Sequence, residues 1–478
     1  MKYQGQLLSE SERERVHAES LRILVGTGIR FHGEQALTIL ARHGAKVDLE
    51  TRIARIPKDL VEQALATAPK SFILGARNPA FDYPMPSPAS RYCIDGTAAF
   101  AMDFETGERR YGTRKDIENS LRVFQQMDMG VMAWAPVCAE DTPANARPLH
   151  EFFTMAKYSS KHGQHELHRV EQVPYLVEGL KIVMGSEAEI KKCHAYSLIY
   201  CPVAPLMHDG AMLDAYLALG EMDLPVMVMP MPVTGSTGPA TLFSNICVAN
   251  AEALSSIVIY QLAHPGRPLI YSSATGTMDF RNGAYLGGTP EMGLMSAALV
   301  EMALFYGLPS SSAGCTSDAR QPGPEAVMEK IFTTMSPVLA GSNVIVGFGE
   351  IESDQLLVLE QIVVDNEIAH YCERIAQGIN AADDKVLTDD VIKVGPGGNF
   401  LALRSTRRAA RSDEFYLASL MDRHSRDAWL ELGRPSMYSK AREKVTEILN
   451  GPVVDPLPDA ILQKLDDVLA AAGREIKE

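Results

Sequence analysis

The chain has 478 residues, of which 46% are hydrophobic and 22% charged, a composition typical of folded globular proteins and not of disordered ones. Its formal net charge of -15, without any cluster of Lys and Arg, argues against a nucleic acid or an anionic membrane surface as a partner, because both require basic side chains. The seven cysteines form no Cys-x-x-Cys pair, and neither a signal peptide nor an apolar run of about 18 residues is present, so we expect a cytoplasmic protein with reduced thiols.

Residues 1–90 have a mixed pattern that we interpret as an N-terminal cap. The spacing of apolar residues predicts amphipathic helices at 11–25 and 34–44. A short hairpin is predicted at 47–56, and a further helix is predicted after Pro57.

From residue 91 onward, short apolar or β-branched runs alternate with longer helical patterns, which is typical of strand–helix units around a parallel sheet. Eight units of even spacing are predicted, with strands at 91–95, 131–138, 163–168, 194–202, 224–230, 268–275, 309–316 and 343–348. An open doubly wound sheet is the alternative, but no Gly-x-Gly-x-x-Gly follows the first strand, as a dinucleotide site would require. The pattern therefore favours an α/β protein with a (β/α)8 TIM barrel, a fold of roughly 250 residues, at 91–378.

The last part of the chain, 379–478, is more polar and is predicted to form a C-terminal extension packed on the barrel. It has a glycine-rich turn at 395–398 and a helical pattern at 459–476. Its arginines are typical of a solvated face and not of a binding patch: Arg404, Arg407, Arg408 and Arg411.

Catalytic residues of TIM barrels lie at the carboxyl ends of the strands, so position narrows the candidates before chemistry is considered. The polar residues at predicted strand ends are Asp95, Glu140, Glu166, His168, Tyr200, Cys201, Thr275, Thr316, Asp318 and Glu350. Each has an alternative role, because carboxylates and hydroxyls at the start of loops commonly cap helices.

Three histidines at intervals of three, His162, His165 and His168, come nearest to a metal signature. On a strand, residues three apart point to opposite faces, so His165 and His168 would not share one ion, and we predict no metal site. Glu166 and His168 are two apart and are expected to face the barrel interior together.

Two loops after predicted strands have possible binding roles. The loop 234–241 is rich in glycine and precedes a helix, so its amides could hold an anion, although a simple turn is the alternative. The long loop 276–290 is expected to close over a substrate or to meet a docking protein. No Ser/His/Asp motif is present, which indicates a site that works by positioning its substrate.

Six short motifs, moderately specific when taken together, are spread over nearly the whole chain. They are Gly26-Thr-Gly-Ile, Ile94-Asp-Gly-Thr-Ala, Tyr111-Gly-Thr-Arg-Lys-Asp, Leu224-Pro-Val-Met-Val-Met-Pro-Met-Pro-Val-Thr-Gly, Cys315-Thr-Ser-Asp-Ala and Gly347-Phe-Gly-Glu-Ile-Glu-Ser. In these motifs the chain resembles the trimethylamine methyltransferase superfamily, in particular its members that demethylate glycine betaine and other quaternary amines.

The resemblance implies a barrel that transfers a methyl group to the Co(I) corrinoid of a separate corrinoid protein, with no cofactor held tightly by this chain. Trimethylamine enzymes of that superfamily have pyrrolysine on a late barrel strand, near 317–320 here by position, where this chain has standard residues. A quaternary ammonium already has a good neutral leaving group and needs no such activating residue. The resemblance therefore implies a quaternary amine as the substrate, glycine betaine first.

The resemblance also suggests how the site residues divide by role. Aromatic faces for the cation are expected from Tyr92, Tyr200, Tyr271 and Phe348, and carboxylates from Asp95, Glu166, Asp318 and Glu350. Donors to a betaine carboxylate are expected from His168, Thr316 or a loop amide. We also expect a homo-oligomer.

Two other functions stay open at this point. A metal-dependent or Schiff-base-dependent lyase on the same fold would need an inward lysine or a metal triad, and Lys191 and Lys192 lie at the wrong end of a strand. A non-catalytic betaine-binding protein would present the ligand to a partner without turnover.

Overall fold

A computed structural model describes residues 4–477. Its central sheet has eight parallel strands, which are β1 Arg91–Ile94, β2 Gly130–Ala133, β3 His162–His165, β4 Tyr196–Tyr200, β5 Val226–Val228, β6 Leu269–Tyr271, β7 Ser311–Ala313 and β8 Val344–Phe348. Hydrogen bonds join the strands in the order β6-β5-β4-β3-β2-β1-β8-β7, and a parallel bridge between Tyr271 and Ser310 joins β6 to β7. The predicted TIM barrel is therefore confirmed.

Each barrel strand is followed by a helix on the outside of the barrel. These helices are α1 Arg114–Gln125, α2 Arg147–Tyr158, α3 Val173–Met184, α4 Gly210–Ala218, α5 Leu242–Ala263, α6 Pro290–Phe305, α7 Pro324–Ala340 and α8 Leu359–Gln377. An additional short helix, Glu187–Cys193, precedes β4.

All eight predicted strands overlap an observed one, but most of the observed strands are shorter. Pro136, Pro202 and Pro230 fall in the predicted strands and lie beyond the ends of the observed ones. Proline has no N–H to donate to a sheet, so hydrogen bonding stops before it and the chain turns into a loop.

The N-terminal elements have the order that the sequence predicts. Helices Glu10–Gly26, Glu34–Arg42 and Lys58–Thr67 flank strands Ile29–Phe31, Lys46–Asp48 and Ile53–Arg55. A strand from the loop after β4, Met207–His208, pairs with Ile29–Phe31, which connects these elements to the barrel. A second hairpin joins Phe72–Leu74 to Tyr83–Met85.

The C-terminal residues cover the barrel helices on one side. Helix Met437–Asn450 packs on α8 and α1, and helix Asp459–Glu475 packs on α3 and α2. Shorter helices at Thr388–Val394, Arg404–Ala409 and Arg426–Glu431 lie between them along the chain. One continuous apolar core includes Val16, the barrel strands and Leu465, so the first and last helices pack into the same core as the barrel.

Helix α5 is long and apolar enough to cross a membrane by length and composition. However, 83% of its most apolar 18-residue window is buried inside the protein, where it packs against helices of the N-terminal cap. This burial is typical of a core helix.

Two small sheets cover the carboxyl ends of the barrel strands. The first joins Phe100–Met102 and Arg109–Tyr111, from the loop after β1, to Glu350–Ile351 and Leu356–Leu357, from the loop after β8. The second is a hairpin of Thr277–Met278 and Tyr285–Leu286 within the loop after β6. These sheets position the side chains at the barrel mouth.

Gly347 allows β8 to bend toward that mouth. Its φ is +149°, and a Cβ there would overlap the carbonyl oxygen of Gly314 on the neighbouring strand. The pairing of β8 with β1 shifts register between Val346 and Phe348, around this glycine. Gly347 therefore sets the course of the chain just before Glu350.

We expect Gly347→Ala to lower the free energy of unfolding by about 3 kcal/mol, because the new methyl group must displace backbone in a position that disfavours side chains. Gly473→Ala is the control. It lies in an outer helix with nothing near a new Cβ, and it should stabilise the protein by up to about 1 kcal/mol. Urea-induced unfolding of both variants tests this, and equal effects would contradict it.

Candidate functional site

Three carboxylates from two chain segments meet at the barrel mouth. Asp95 directly follows β1, while Glu350 and Asp354 lie in the loop after β8. Asp95 and Asp354 are within hydrogen-bonding reach of each other, and the charge of Glu350 acts with both. Asp95 is 7% exposed and Glu350 is fully buried. We call these three residues the acidic trio.

The environment of the acidic trio favours protonation. Burial, as the largest cause, raises the pKa of Asp95 to about 6. Burial and then the neighbouring carboxylates raise the pKa values of Glu350 and Asp354 well above the ordinary range. Within residues 4–477, neither oxygen of Glu350 has a well-formed hydrogen bond, since the nearby amide of Ala98 donates to Pro136 and only weakly lowers the Glu350 pKa, and Oδ1 of Asp354 also lacks a partner. Such buried, unpaired acids are rare in structural positions and frequent in functional sites.

A buried lysine holds together the strand ends that carry the trio. Nζ of Lys330, on α7, donates to the carbonyl oxygens of Cys315 at 2.6 Å and Gly347 at 3.0 Å, and to Asp365 at 2.9 Å. Asp365, on α8, also accepts from the amide of Gly349 at 2.7 Å. Burial opposes the charge of Lys330, but the Asp365 carboxylate outweighs it and raises the pKa of the lysine. Lys330 is therefore a fully bonded cation between β7 and β8.

The backbone around the trio is strained. Thr97 after Asp95 has φ of +107°, and Glu352, Ser353 and Asp354 have φ of +60°, +56° and +62° in succession. Each left-handed non-glycine residue costs roughly 1 kcal/mol or more. Strain of this kind persists where surrounding contacts over-determine the conformation, and it concentrates at functional sites.

Contacts with the loop after β7 hold this strained turn. The amide of Ser353 donates to the carbonyl of Ser317 at 2.8 Å, and its hydroxyl donates to Asp318 at 2.8 Å. The Glu352 carboxylate pairs with Arg109 at 2.8 Å and Arg320 at 3.2 Å. The strained turn is thus anchored on both sides.

Tyr285 places an aromatic ring next to the trio. Its ring lies against Gly276, where a Cβ would overlap it. A Cβ at Gly287 would lie 3.4 Å from the Tyr285 hydroxyl and 3.7 Å from Oδ2 of Asp354, so both groups border the same glycine. Trp134, after β2, packs its ring on Gly96, next to Asp95.

Two further predicted residues, Asp318 and Thr316, also lie near the mouth but are engaged in structural hydrogen bonds. Asp318 accepts from the amides of Gly287 at 2.8 Å and Gly288 at 3.0 Å. The hydroxyl of Thr316 donates to the carbonyl oxygen of Gly287 at 2.7 Å. Both connect the loop after β6 to β7, so they position Tyr285.

The four predicted aromatic residues pack toward the helix layer and are not gathered around the trio. Tyr92 stacks on Phe348 with ring centroids 4.8 Å apart, and Phe348 contacts Phe124 of α1. The Tyr200 hydroxyl bonds Nδ1 of His208 at 2.8 Å. The Tyr271 hydroxyl donates to Asn250 of α5 at 2.8 Å. Side chains alternate along a strand, so the aromatic positions belong to the outer face.

Glu166 and His168 form the predicted pair, with Nε2 of His168 3.3 Å from Oε1 of Glu166. The hydrogen bond to Glu166 raises the pKa of His168, which is 51% exposed in its side chain. The three histidines do not converge. His162 bonds the carbonyl of Gly75 and Ser197, and His165 bonds Glu151 and Trp134.

The remaining strand-end candidates have local roles. Glu140 pairs with Arg147 at 2.9 Å. Burial raises the pKa of the Cys201 thiol to about 12 and that of Cys315 well above its ordinary value, so neither is a ready thiolate. The Thr275 hydroxyl is buried, and no described residue forms a hydrogen bond with it. All seven cysteines lie within the described residues and are free thiols there.

In the loop 234–241 the amides already donate within the loop. The amide of Gly235 donates to Gly238, and those of Ser236 and Gly238 donate to Val233. These bonds fit the alternative of a turn better than an anion site.

Sequence reasoning missed Asp354, Lys330 and Trp134 as members of this region, and it named Tyr285 only as part of a long loop. A signal for Asp354 exists, because Glu350, Glu352 and Asp354 alternate in a short acidic run after the last strand. Lys330 has no such signal, since it lies in the middle of a helix.

The family model for trimethylamine methyltransferase (MTTB) matches residues 3–476 of the chain. The chain belongs to the trimethylamine methyltransferase family. Among similar members are trimethylamine methyltransferase MttB of Methanosarcina thermophila, 32% identical over 96% of both chains, and glycine betaine methyltransferase of Desulfitobacterium hafniense, 30% identical over 99% of this chain and 98% of that protein.

The fold of this family member is also found in a solved structure. The monomethylamine methyltransferase MtmB of Methanosarcina barkeri matches with a TM-score of 0.51 and 12% identity, covering 98% of this chain and 90% of that one. At this identity the likeness concerns the fold alone.

We expect Lys330→Met to lower the free energy of unfolding by about 3–5 kcal/mol, because it leaves the buried Asp365 carboxylate unpaired. Lys385→Met is the matched control, since Lys385 pairs with Glu414 in a partly exposed position, and its loss should cost less than about 1 kcal/mol. Urea-induced unfolding measures both.

A double variant, Lys330→Met with Asp365→Leu, should recover part of the loss, because no unpaired charge remains. A single Lys330→Met variant as stable as the control would show that the buried pair does not hold β7 and β8 together.

Proposed function

We propose that this family member transfers a methyl group from a quaternary amine, with glycine betaine the leading substrate, to the Co(I) corrinoid of a separate corrinoid protein. The acidic trio is the observation that carries the proposal. Asp95 and Glu350 are buried at the mouth of the barrel with Asp354 half-buried beside them, and among the described residues Glu350 has no well-formed hydrogen bond. The full-length similarity to a glycine betaine methyltransferase supports the same substrate class.

The trio suits a cation that donates no hydrogen bonds. A quaternary ammonium interacts through its charge, and in a water-poor site this attraction is stronger than in solvent. The ring of Tyr285 beside Asp354 adds an aromatic surface for the methyl groups. Asp95, Glu350, Asp354 and Tyr285 are therefore our proposed cation-binding residues.

The protein contributes binding and orientation in this proposal. The corrinoid supplies a strongly nucleophilic metal centre that accepts the methyl group. The trio and Tyr285 hold the ammonium so that one methyl group points out of the mouth, and the neutral amine leaves after transfer. Raised thiol pKa values at Cys201 and Cys315 agree with a site that has no nucleophile of its own.

A betaine carboxylate needs a donor at some distance from the trio. His168 is half-exposed, and its raised pKa favours the protonated ring, so we propose it for that role. Glu166 holds His168 in place. We further propose a cytoplasmic homo-oligomer that meets its corrinoid partner at the barrel mouth.

The lysine of a Schiff-base lyase must lose its proton, and the lysine nearest the mouth does not fit this need. Asp365 keeps Lys330 charged, and its three hydrogens are already donated. Lys191 and Lys192 pair with Glu187 and Glu189 on a short helix.

We expect the protein to transfer a methyl group from glycine betaine to a reduced corrinoid protein. The absorbance change of the corrinoid measures this transfer. Asp95→Asn should reduce kcat/KM about 100-fold, a loss of about 3 kcal/mol in transition-state binding, because it removes charge that holds the ammonium. Glu291→Gln is the control. It lies exposed in the first turn of α6, on the same face of the barrel, and should leave activity unchanged.

The panel should also include proline betaine, carnitine, choline and trimethylamine. Methylation from trimethylamine alone would contradict the proposed substrate class. Binding of betaine without any turnover, in the presence of a competent carrier, would favour the non-catalytic alternative.

A further inference from the structure

We propose that the acidic trio holds protons when the site is empty and exchanges about one of them for each quaternary ammonium that binds. This inference rests on the proposed function, since it concerns the same site. The exchange is balanced. The protonated site and the cation give the cation complex and one hydrogen ion, which passes to solvent, and no covalent bond to the substrate changes.

The charges around the mouth are mostly negative. Asp95, Glu350, Asp354 and the nearby Asp365 contribute four carboxylates, while Lys330 is the cation that acts on all four. Lys330 donates to Asp365 and to two carbonyl oxygens, so it has no hydrogen left for the trio. Three like charges crowded together, with the nearby Lys330 already bonded to Asp365, are too costly to persist. Protons or an external cation must neutralise them.

The environment of Glu350 indicates that a bound ligand can take the place of protons in neutralising the trio. Its side chain is fully buried, and within residues 4–477 the donor near it is the amide of Ala98, which bonds Pro136 and is the weakest influence on the Glu350 pKa. A carboxylate kept only for stability would be paired, because an unsatisfied buried acceptor costs about 1–3 kcal/mol. A cation delivered from solvent would neutralise the charges of Glu350 and Asp354 together.

The chemistry of the surroundings selects an alkylated ammonium. Within residues 4–477, no group of three or more His, Cys, Asp or Glu has an arrangement able to hold a metal ion. The Tyr285 ring borders the same glycine as Asp354, which combines an aromatic surface with charge. Aromatic rings with carboxylates favour quaternary ammonium groups.

The direction of the acid pKa values agrees with this geometry. Burial raises the pKa of Asp95 to about 6 and those of Glu350 and Asp354 well above their ordinary values, which favours protonated acids in the empty site. The titratable and charged groups that face the trio are Lys330 on α7, Asp365 on α8, Asp318 after β7, Tyr285 after β6 and Cys93 on β1. Protons compete with the cation for the site. The affinity for the cation should therefore fall roughly tenfold for each unit by which the pH is lowered in the range where the empty site is protonated.

The experiment measures protons released on binding, without a corrinoid protein and hence without turnover. Choline binding to the full chain is followed by calorimetry at about pH 7 in phosphate and in Tris, which differ in ionisation enthalpy. The difference in heat gives the number of protons, and we expect about one per choline. The neutral isostere of choline, with carbon in place of nitrogen, should release none. Tetramethylammonium and glycine betaine should release as many protons as choline.

Variants of the trio test whether its carboxylates release the protons. Glu350→Gln and Asp354→Asn should each reduce the number of protons released, while Glu291→Gln, exposed on the same face, should leave it unchanged. If a trio variant fails to fold, the comparison of choline with its neutral isostere in the unmodified protein decides the question.

The outcomes separate the two proposals. Equal heats in both buffers, with choline bound, would overturn the proton exchange and leave the methyl transfer standing. Failure of every quaternary amine to bind, together with no methyl transfer, would overturn the proposed function and this inference with it.

Discussion

The buried pair of Lys330 and Asp365 is the interaction on which the barrel mouth depends. Both side chains are fully excluded from solvent, and together they bind the chain at Cys315, Gly347 and Gly349. A buried ion pair of this kind adds little net stability compared with apolar packing, but its hydrogen bonds define one geometry. That geometry is the course of β7 and β8 just before they supply their mouth loops. The position of Glu350 follows from it.

The mouth itself opposes folding, and the rest of the protein offsets this cost. Left-handed residues 352–354 and three buried acids all favour the unfolded chain, where backbone is relaxed and carboxylates are hydrated. The compensation comes from the continuous apolar core, to which N-terminal and C-terminal helices also contribute. We expect this arrangement, in which the mouth is strained and the core supplies the stability, where a site serves binding and not stability.

The barrel could be predicted from sequence because its signal is repeated eight times, whereas the site depends on single side chains. Asp95 and Glu350, two of the proposed cation-binding residues, could be named from sequence because they follow strand ends. Tyr92 was predicted to offer its ring to the cation. Side chains alternate along a strand, so Tyr92, three residues before Asp95, points to the opposite face. Phe348 shares parity with Glu350, and the left-handed Gly349 between them, with φ of +91°, separates their directions. Asp354, Tyr285 and Lys330 come from loops and a helix, where spacing along the chain does not determine spacing in the fold.

In the proposed function, the site holds an alkylated cation in preference to ammonium or a protonated amine, and the reason is the cost of leaving water. A primary or tertiary ammonium has N–H groups that donate to water in solution and to Glu350 in the site, so the two sets of hydrogen bonds nearly cancel in the binding free energy. A quaternary ammonium makes none, so it loses less on leaving water and depends on charge and on contact with Tyr285. Since Lys330 is already saturated, the trio retains an uncompensated negative field that only the substrate or protons can neutralise. In the proposed function, selectivity for a methylated cation follows from the use of Lys330 to hold β7 and β8 together.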